Sequence, residues 1–337
     1  MERIRLHNTV FEGMNDVYLL DGEETVLVDS GVALPEVRAD LEDGLSEHGV
    51  ALADVDRLFL THWHHDHAGL AGEIQAASGA TVHVHEADAP LVSGGEDVLA
   101  ANREQQREAF EAWAIPDGPR EELAATLDGQ SDVLGEPVDV TPFSDADAFA
   151  VNGRTLEAVH LPGHAAGLTA FADGDAGEAF VGDVILPKYT PNVGGADVRV
   201  DGALGLYVDS LVEVIERDWD VVWPGHRDRI DDPAGRAATI LRHHRDRTRN
   251  VVGVLERRGA STPWKVSADL FGSLSGVHIL HGPGEAYAHL DHLAGAGVVE
   301  RDGREYRLVE SDPDVDALFP DVGIERVVEF EASGTQH

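Results

Sequence analysis

The sequence predicts an α/β fold over roughly its first 230 residues, with a smaller helical part after it. Three observations carry this expectation. Apolar runs of strand length alternate with stripes of helical period, as where Val37, Leu41 and Leu45 precede Val55-Asp56-Arg57-Leu58-Phe59-Leu60. Residues of metal-ligand type stand at the ends of such runs, above all in Thr61-His62-Trp63-His64-His65-Asp66-His67. The chain, at 337 residues, also exceeds the ~250 to 300 at which single cores stop growing, so one large and one smaller domain are expected.

Composition removes several function classes. There is no cysteine, which excludes disulfides, thiolate nucleophiles and Cys-ligated zinc, so any metal must be held by His and carboxylate. Acidic residues number 63 against 25 basic ones, a formal charge of -38, and only Lys188 and Lys265 are lysines. Such a surface repels itself at ordinary salt, whereas in molar salt the screening length falls to ~3 Å, so a halophile with a salt-rich cytoplasm is expected. A hydrophobic content of 42% argues against an acidic disordered chain. No run of 18 apolar residues and no basic-then-apolar leader is present, so a cytoplasmic protein with no membrane partner is expected.

In order, Val17-Tyr18-Leu19-Leu20 and Thr25-Val26-Leu27-Val28-Asp29 read as strands around a turn at Asp21-Gly22. A helix from Leu34 to His48 and the strand at 55–60 lead to the histidine corner. There His62 and His64, two apart in extended chain, point the same way, while Asp66 and His67 follow the turn and face a second nearby point. Two cations are therefore expected, with His65 left over. A helix to about Ser78 and the strand Ala80-Thr81-Val82-His83-Val84-His85 come next. His83 and His85 share a face, but better-placed residues supply the ligands, and His85 is expected only near the mouth of the site. Residues 90–130 break the pattern with helical stretches at 96–113 and 119–127. Asn152-Gly153 and Asp173-Gly174 mark hairpins whose strands lead to His164 and Asp183. A helix around Tyr207 to Arg217 and the strand Asp220-Val221-Val222-Trp223 then lead to His226.

Taken together, Asp29-Ser30-Gly31, the His62 to His67 cluster, Leu161-Pro162-Gly163-His164, Phe180-Val181-Gly182-Asp183 and Trp223-Pro224-Gly225-His226 resemble the metallo-β-lactamase superfamily of metal-dependent hydrolases. The resemblance is to the branch with a bridging aspartate, such as the glyoxalase II hydrolases, and covers about residues 5–230. It implies an αββα sandwich, two sheets with helices on the outer faces, in a domain spanning 1–232. It further implies that His62, His64 and His164 hold one metal and Asp66, His67 and His226 the other, with Asp183 bridging and Asp29 supporting a ligand by hydrogen bonding. Two divalent ions are expected, zinc first, with iron or manganese compatible with the same ligands. Cations ~3.5 to 4 Å apart share a water and lower its pKa toward neutrality, and Asp66 has an added catalytic role in guiding a proton. Segment 90–130 resembles the variable insertion that covers the site in many members. Lys188, kept five residues beyond Asp183 in a chain nearly without lysine, is expected with Tyr189 to anchor a substrate carboxylate or phosphate.

Beyond Asp232, helical patterns near 236–258, 264–274 and 284–293 precede a hairpin with Asp302-Gly303 at its turn. Residues 233–310 thus look like a winged-helix domain, similar to that of β-lactamase-like protein 2 and its relatives, some of which are endoribonucleases; 311–337 form an acidic tail. Segment 236–258 holds seven arginines against Asp246 and Glu256. Phosphate contacts lose ~10³ to 10⁵ in affinity between 50 and 200 mM salt, so in a salty cytoplasm a structural or dimerising role is the stronger expectation. The expected activity is hydrolysis of a small-molecule ester or thioester, with phosphodiester or RNA cleavage as the alternative. A nucleic-acid-binding regulator with a vestigial site is a third reading, which the complete ligand set argues against.

Overall fold

The computed structural model describes residues 1–8, 13–128 and 135–322. Two sheets face each other. The first has six strands in sequence order: β1 (Glu2–Leu6), β2 (Asn15–Leu20), β3 (Val26–Val28), β4 (Arg57–Phe59), β5 (Thr81–His85) and β6 (Val140–Phe143). β1 to β3 form an antiparallel meander and β3 to β6 run parallel. The second sheet holds β7 (Ala148–Val151), β8 (Arg154–His160), β9 (Thr169–Asp173), β10 (Glu178–Gly182) and β11 (Val221–Pro224), antiparallel except for the parallel pair β10 and β11.

The two-residue period of each strand sorts its side chains between layers. Tyr18, Leu20, Val26, Val28, Phe59, Phe171 and Phe180 fill the space between the sheets. Their neighbours Leu19, Leu27 and Leu58 face outward under α1 (Pro35–Glu47) and the paired helices α2 (His65–Ala68) and α3 (Ala71–Ser78). On the second sheet Val159, Ala170 and Val181 face outward in the same way, and α7 (Ala203–Arg217) and α8 (Pro233–Arg258) join that apolar cluster. The result is the four-layer αββα sandwich.

Between these layers in the chain lie α4 (Ala89–Ser93), α5 (Glu96–Ala112) and α6 (Asp117–Asp128). Trp113, Ile115 and Leu123 pack against Ile279 and Leu280 of the C-terminal part, and the Trp264 N–H donates to the Trp113 carbonyl at 3.0 Å. The last part of this insertion, 129–130, lies outside the described residues.

The C-terminal part consists of α8, α9 (Pro263–Phe271), α10 (His278–Gly295) and the hairpin β12 (Val299–Asp302) with β13 (Glu305–Leu308). α10 begins six residues earlier than the sequence pattern indicates and contains Pro283 in its interior. Proline lacks the N–H that would bond the Ile279 carbonyl, yet Ile279 and Leu280 are anchored by the insertion and hold those first turns in place. The hairpin turn is Gly303-Arg304, since Asp302 pairs with Glu305. Beyond it, Val315 and Phe319 are buried in the C-terminal core, so the start of the acidic tail is packed; its remainder, 323–337, lies outside the described residues. β6 carries no clear sequence signal, being short and largely exposed, while β1 alternates Arg3 and Arg5 with the buried Ile4 and Leu6.

Candidate metal centre

Every residue expected as a metal ligand stands past a strand end, on the rim where the strands of both sheets finish. β4 delivers Thr61 to His64, and the first turn of α2 carries Asp66 and His67. β8 leads to His164, β10 to Asp183 and β11 to His226. His62, Asp66, His67, His164, Asp183 and His226 are all buried, and His64 is partly so.

In the first cluster, His64 Nδ1 lies 2.9 Å from His62 Nε2 and 3.1 Å from His164 Nε2. The opposite nitrogen of each ring has a partner that fixes the tautomer. His64 Nε2 donates to the Ala196 carbonyl at 3.2 Å and His164 Nδ1 to the Asn192 carbonyl at 2.7 Å. His62 Nδ1 sits 3.1 Å from the Thr61 hydroxyl, whose own proton goes to Asp29 Oδ2 at 2.9 Å. Three imidazole lone pairs therefore converge on one point, an arrangement that repels itself unless a cation sits between them.

The second cluster is built with carboxylates. His67 Nδ1 donates to Asp29 Oδ2 at 2.8 Å and His226 Nδ1 to the Gly13 carbonyl at 3.1 Å, so both Nε2 atoms point into the cluster. His226 Nε2 lies 3.3 Å from Asp66 Oδ2, and His67 Nε2 lies 3.8 Å from the same oxygen. Asp183 stands between the clusters, with Oδ1 3.5 Å from His67 Nε2 and Oδ2 3.6 Å from His226 Nε2 and 3.7 Å from His164 Nε2. His67 Nε2, His226 Nε2 and Asp183 Oδ1 are buried with no hydrogen-bond partner. Orphaned buried atoms of this kind, aimed at one another, are what a hard or borderline divalent cation satisfies. The residues fit divalent cations, and among the described residues the groups His62/His64/His164, His62/His67/Asp183 and Asp66/His67/His226 each come within ligating reach of a common centre.

The electrostatics of the clusters differ. Burial, reinforced by the neighbouring imidazoles, pushes His62 well below the usual histidine range, and burial together with His164 takes His64 to about 3. Burial opposes protonation of His226 too, but the Asp183 and Asp66 carboxylates overcome it and raise it to about 9. His67 is raised in the same way by Asp183, Asp66 and Asp29. Burial works to raise Asp66 and Asp183, and the adjacent imidazoles outweigh it and hold both below the usual carboxylate range.

Asp29 accepts the Thr61 N–H at 2.8 Å as well as the His67 proton, from a left-handed backbone with φ of 62°. A Cβ at Gly225 would overlap His67 Cε1, and one at Gly182 would overlap the Thr61 hydroxyl, so the glycines beside His226 and Asp183 let these loops close together. His65 joins neither group, and His83 and His85 stand apart as well: His83 stacks on Phe59 between the sheets and His85 on His160. Lys188 and Tyr189 are exposed, with the Lys188 ammonium 5.3 Å from the Tyr189 ring centre.

Several participants escape the sequence reading. Thr61 joins Asp29 to His62, Asn192 and Ala196 contribute only their carbonyls, and Asp88, Asp197 and Arg199 form a buried charge cluster beneath Trp63. A carbonyl contact leaves no mark in residue type, and the three charged residues carry no motif.

Comparison with known proteins agrees with this geometry. Residues 10–226 match the family model described as the metallo-beta-lactamase superfamily. Two proteins of Emericella nidulans are similar, lactamase-like protein aptB (27% identical, 74% of this chain, 62% of the relative) and the atrochrysone carboxyl ACP thioesterase (25%, 73% and 62%). The beta-lactamase-like protein 2 homolog of Drosophila melanogaster is 26% identical over 73% of this chain and 70% of its own. The chain thus spans about 62% of the length of the two fungal relatives. The crystal structure of a metallo-beta-lactamase family protein from Thermus thermophilus superposes with a TM-score of 0.81 at 28% identity, covering 91% of this chain and 98% of that one. The chain belongs to the metallo-beta-lactamase superfamily.

Proposed function

We propose that this chain hydrolyses an ester or thioester of a small molecule with two divalent cations, zinc first among them. The observation that carries the two-cation reading is Asp183, whose two oxygens face His67 at 3.5 Å and His164 and His226 at 3.7 and 3.6 Å. His62, His64 and His164 would hold one ion, Asp66, His67 and His226 the other, and Asp183 both. When bound, such a pair lowers the pKa of water and stabilises developing negative charge. Asp66, held ionised by His67 and His226, accepts a hydrogen bond from the attacking water and guides its proton to the leaving group as the bond breaks. Asp29 fixes the His67 tautomer throughout.

The acyl substrate is supported by the relative whose name describes an ACP thioesterase. A cavity of about 510 Å³ lined by Lys188, Tyr189, His243, Arg247 and Glu285 offers the Lys188 ammonium for a carboxylate or phosphate on that substrate. It opens beside Pro191, next to the residue whose carbonyl holds His164.

Phosphodiester cleavage is the alternative, and it rests on the resemblance of residues 233–310 to the C-terminal domain of β-lactamase-like protein 2, whose fly homolog is similar to this chain. The arginines of α8 weigh against an RNA surface there. Arg247 pairs with Glu285, Arg249 with Asp246 and Asp316, Arg258 with Asp269, and Arg236 donates to the Leu186 and Tyr189 carbonyls. These contacts support the structural role for this segment.

The test is hydrolysis of acyl thioesters and of single-stranded RNA, side by side in molar KCl with zinc or manganese. Thioester turnover that Asp66→Ala abolishes is the expected result. RNA cleavage lost in that variant, with thioesters untouched, would transfer the proposal to phosphodiesters.

A further inference from the structure

Two of the three imidazoles in the first cluster are held from outside by a single loop. The Asn192 and Ala196 carbonyls that accept from His164 and His64 both lie between β10 and α7, away from the strands that carry the ligands. The loop is pinned on two sides. On one side, Asp197 accepts from Trp63 Nε1 and from the Ala166 N–H, each at 3.0 Å, and from the Arg199 guanidinium. Arg199 also bonds Asp88 at 2.6 Å, and Asp88 takes the Trp63 N–H at 3.1 Å and the Gly167 N–H at 3.0 Å. These carboxylates thereby join the loop to the residue between His62 and His64 and to the chain just after His164.

On the other side the loop rests on α10. Gly195 lies so close to Gly284 that a Cβ on Gly284 would overlap the Gly195 backbone. The Asn192 side chain donates to the His281 carbonyl at 3.3 Å and accepts the Gly195 N–H at 3.1 Å.

We infer that residues 192–199 are a positioning device through which helix α10 sets the cation affinity of the first cluster. An imidazole lone pair points where the partner of its other nitrogen directs it. A shift of this loop rotates His64 and His164 together, while His67 and His226, held by Asp29 and Gly13, keep their aim. The inference rests on the two-cation reading.

Gly284→Ala tests it by adding one methyl group at a helix interior, where alanine is the better helix former. Asn192→Ala loosens the tie to α10 without adding bulk, and decides alone should Gly284→Ala fail to fold. Gly253→Ala, in α8 with only the flexible Arg257 tip near its Cβ, is the control. Zinc titration against a competing chelator in molar KCl should show two equivalents in the unaltered chain and in the control. In Gly284→Ala and Asn192→Ala one equivalent should keep its affinity and the other weaken about 10- to 100-fold. His164→Ala should lose that same equivalent, and adding Gly284→Ala to it should change nothing further. Two equivalents at unchanged affinity in both variants, or equal weakening of both, would overturn the inference. A single equivalent in the unaltered chain would defeat the two-cation reading, and this inference with it, before any variant is compared.

Discussion

The two halves of the metal centre sit on one rim and are built on opposite principles. His62, His64 and His164 are three buried or half-buried rings whose outer partners are a hydroxyl and two loop carbonyls. His67 and His226 are interleaved with Asp66 and Asp183, and His67 is backed by a third carboxylate, Asp29. The opposite pKa directions follow directly: His64 falls to about 3 among imidazoles, and His226 rises to about 9 among carboxylates. The half rich in negative charge should hold its cation more tightly. The imidazole half should be the one that exchanges and that answers to the surrounding structure.

The largest expected effect comes from removing what both halves share. Asp183→Ala should abolish turnover and weaken both equivalents by more than the ~10- to 100-fold that outer partners cost, read by metal analysis and steady-state kinetics. An effect on one equivalent only would mean that Asp183 belongs to one half.

Asp29→Asn should come next. It keeps the shape of the side chain while weakening the acceptor for His67, so the carboxylate-rich half should lose about 10- to 100-fold in metal affinity. Because Thr61 links Asp29 to His62, a smaller loss in the other half is also expected, resolved by chelator titration. Gly225→Ala should act on the same half by pressing on His67, lowering metal affinity by less than Asp29→Asn.

The smallest effect is expected far from both. The Lys265–Glu305 pair at 3.1 Å is half exposed at each end, so Lys265→Ala should change stability by under about 1 kcal/mol, measured by urea unfolding, and leave turnover unaltered.

The same contrast governs what the sequence discloses. The carboxylate-rich half depends on side chains, so Asp29, Asp66, His67, Asp183 and His226 can be picked out by type and position. His62, His64 and His164 are equally legible as residues of ligand type, but the support for this half lies in carbonyls of Asn192 and Ala196, which any residue could supply. Only folding brings the stretch Asn192-Val193-Gly194-Gly195-Ala196-Asp197 beneath the site. The layers are legible because two-residue periods sort Tyr18 from Leu19 and Val28 from Leu27 between cores. β6 is not, since its largely exposed residues satisfy no clear period, whereas β1 does alternate, with Ile4 and Leu6 buried and Arg3 and Arg5 outward. The early start of α10 is hidden by Pro283, whose local penalty is outweighed by the contacts of Ile279 and Leu280 with the insertion.

The most direct measurement is thioester turnover followed as zinc is withdrawn stepwise by chelator in molar KCl, with bound metal counted at each step. Two equivalents per chain, the first to leave coming from the His62/His64/His164 half and taking turnover with it, is the predicted result. A single equivalent, or turnover that persists in the metal-free chain, would contradict the account.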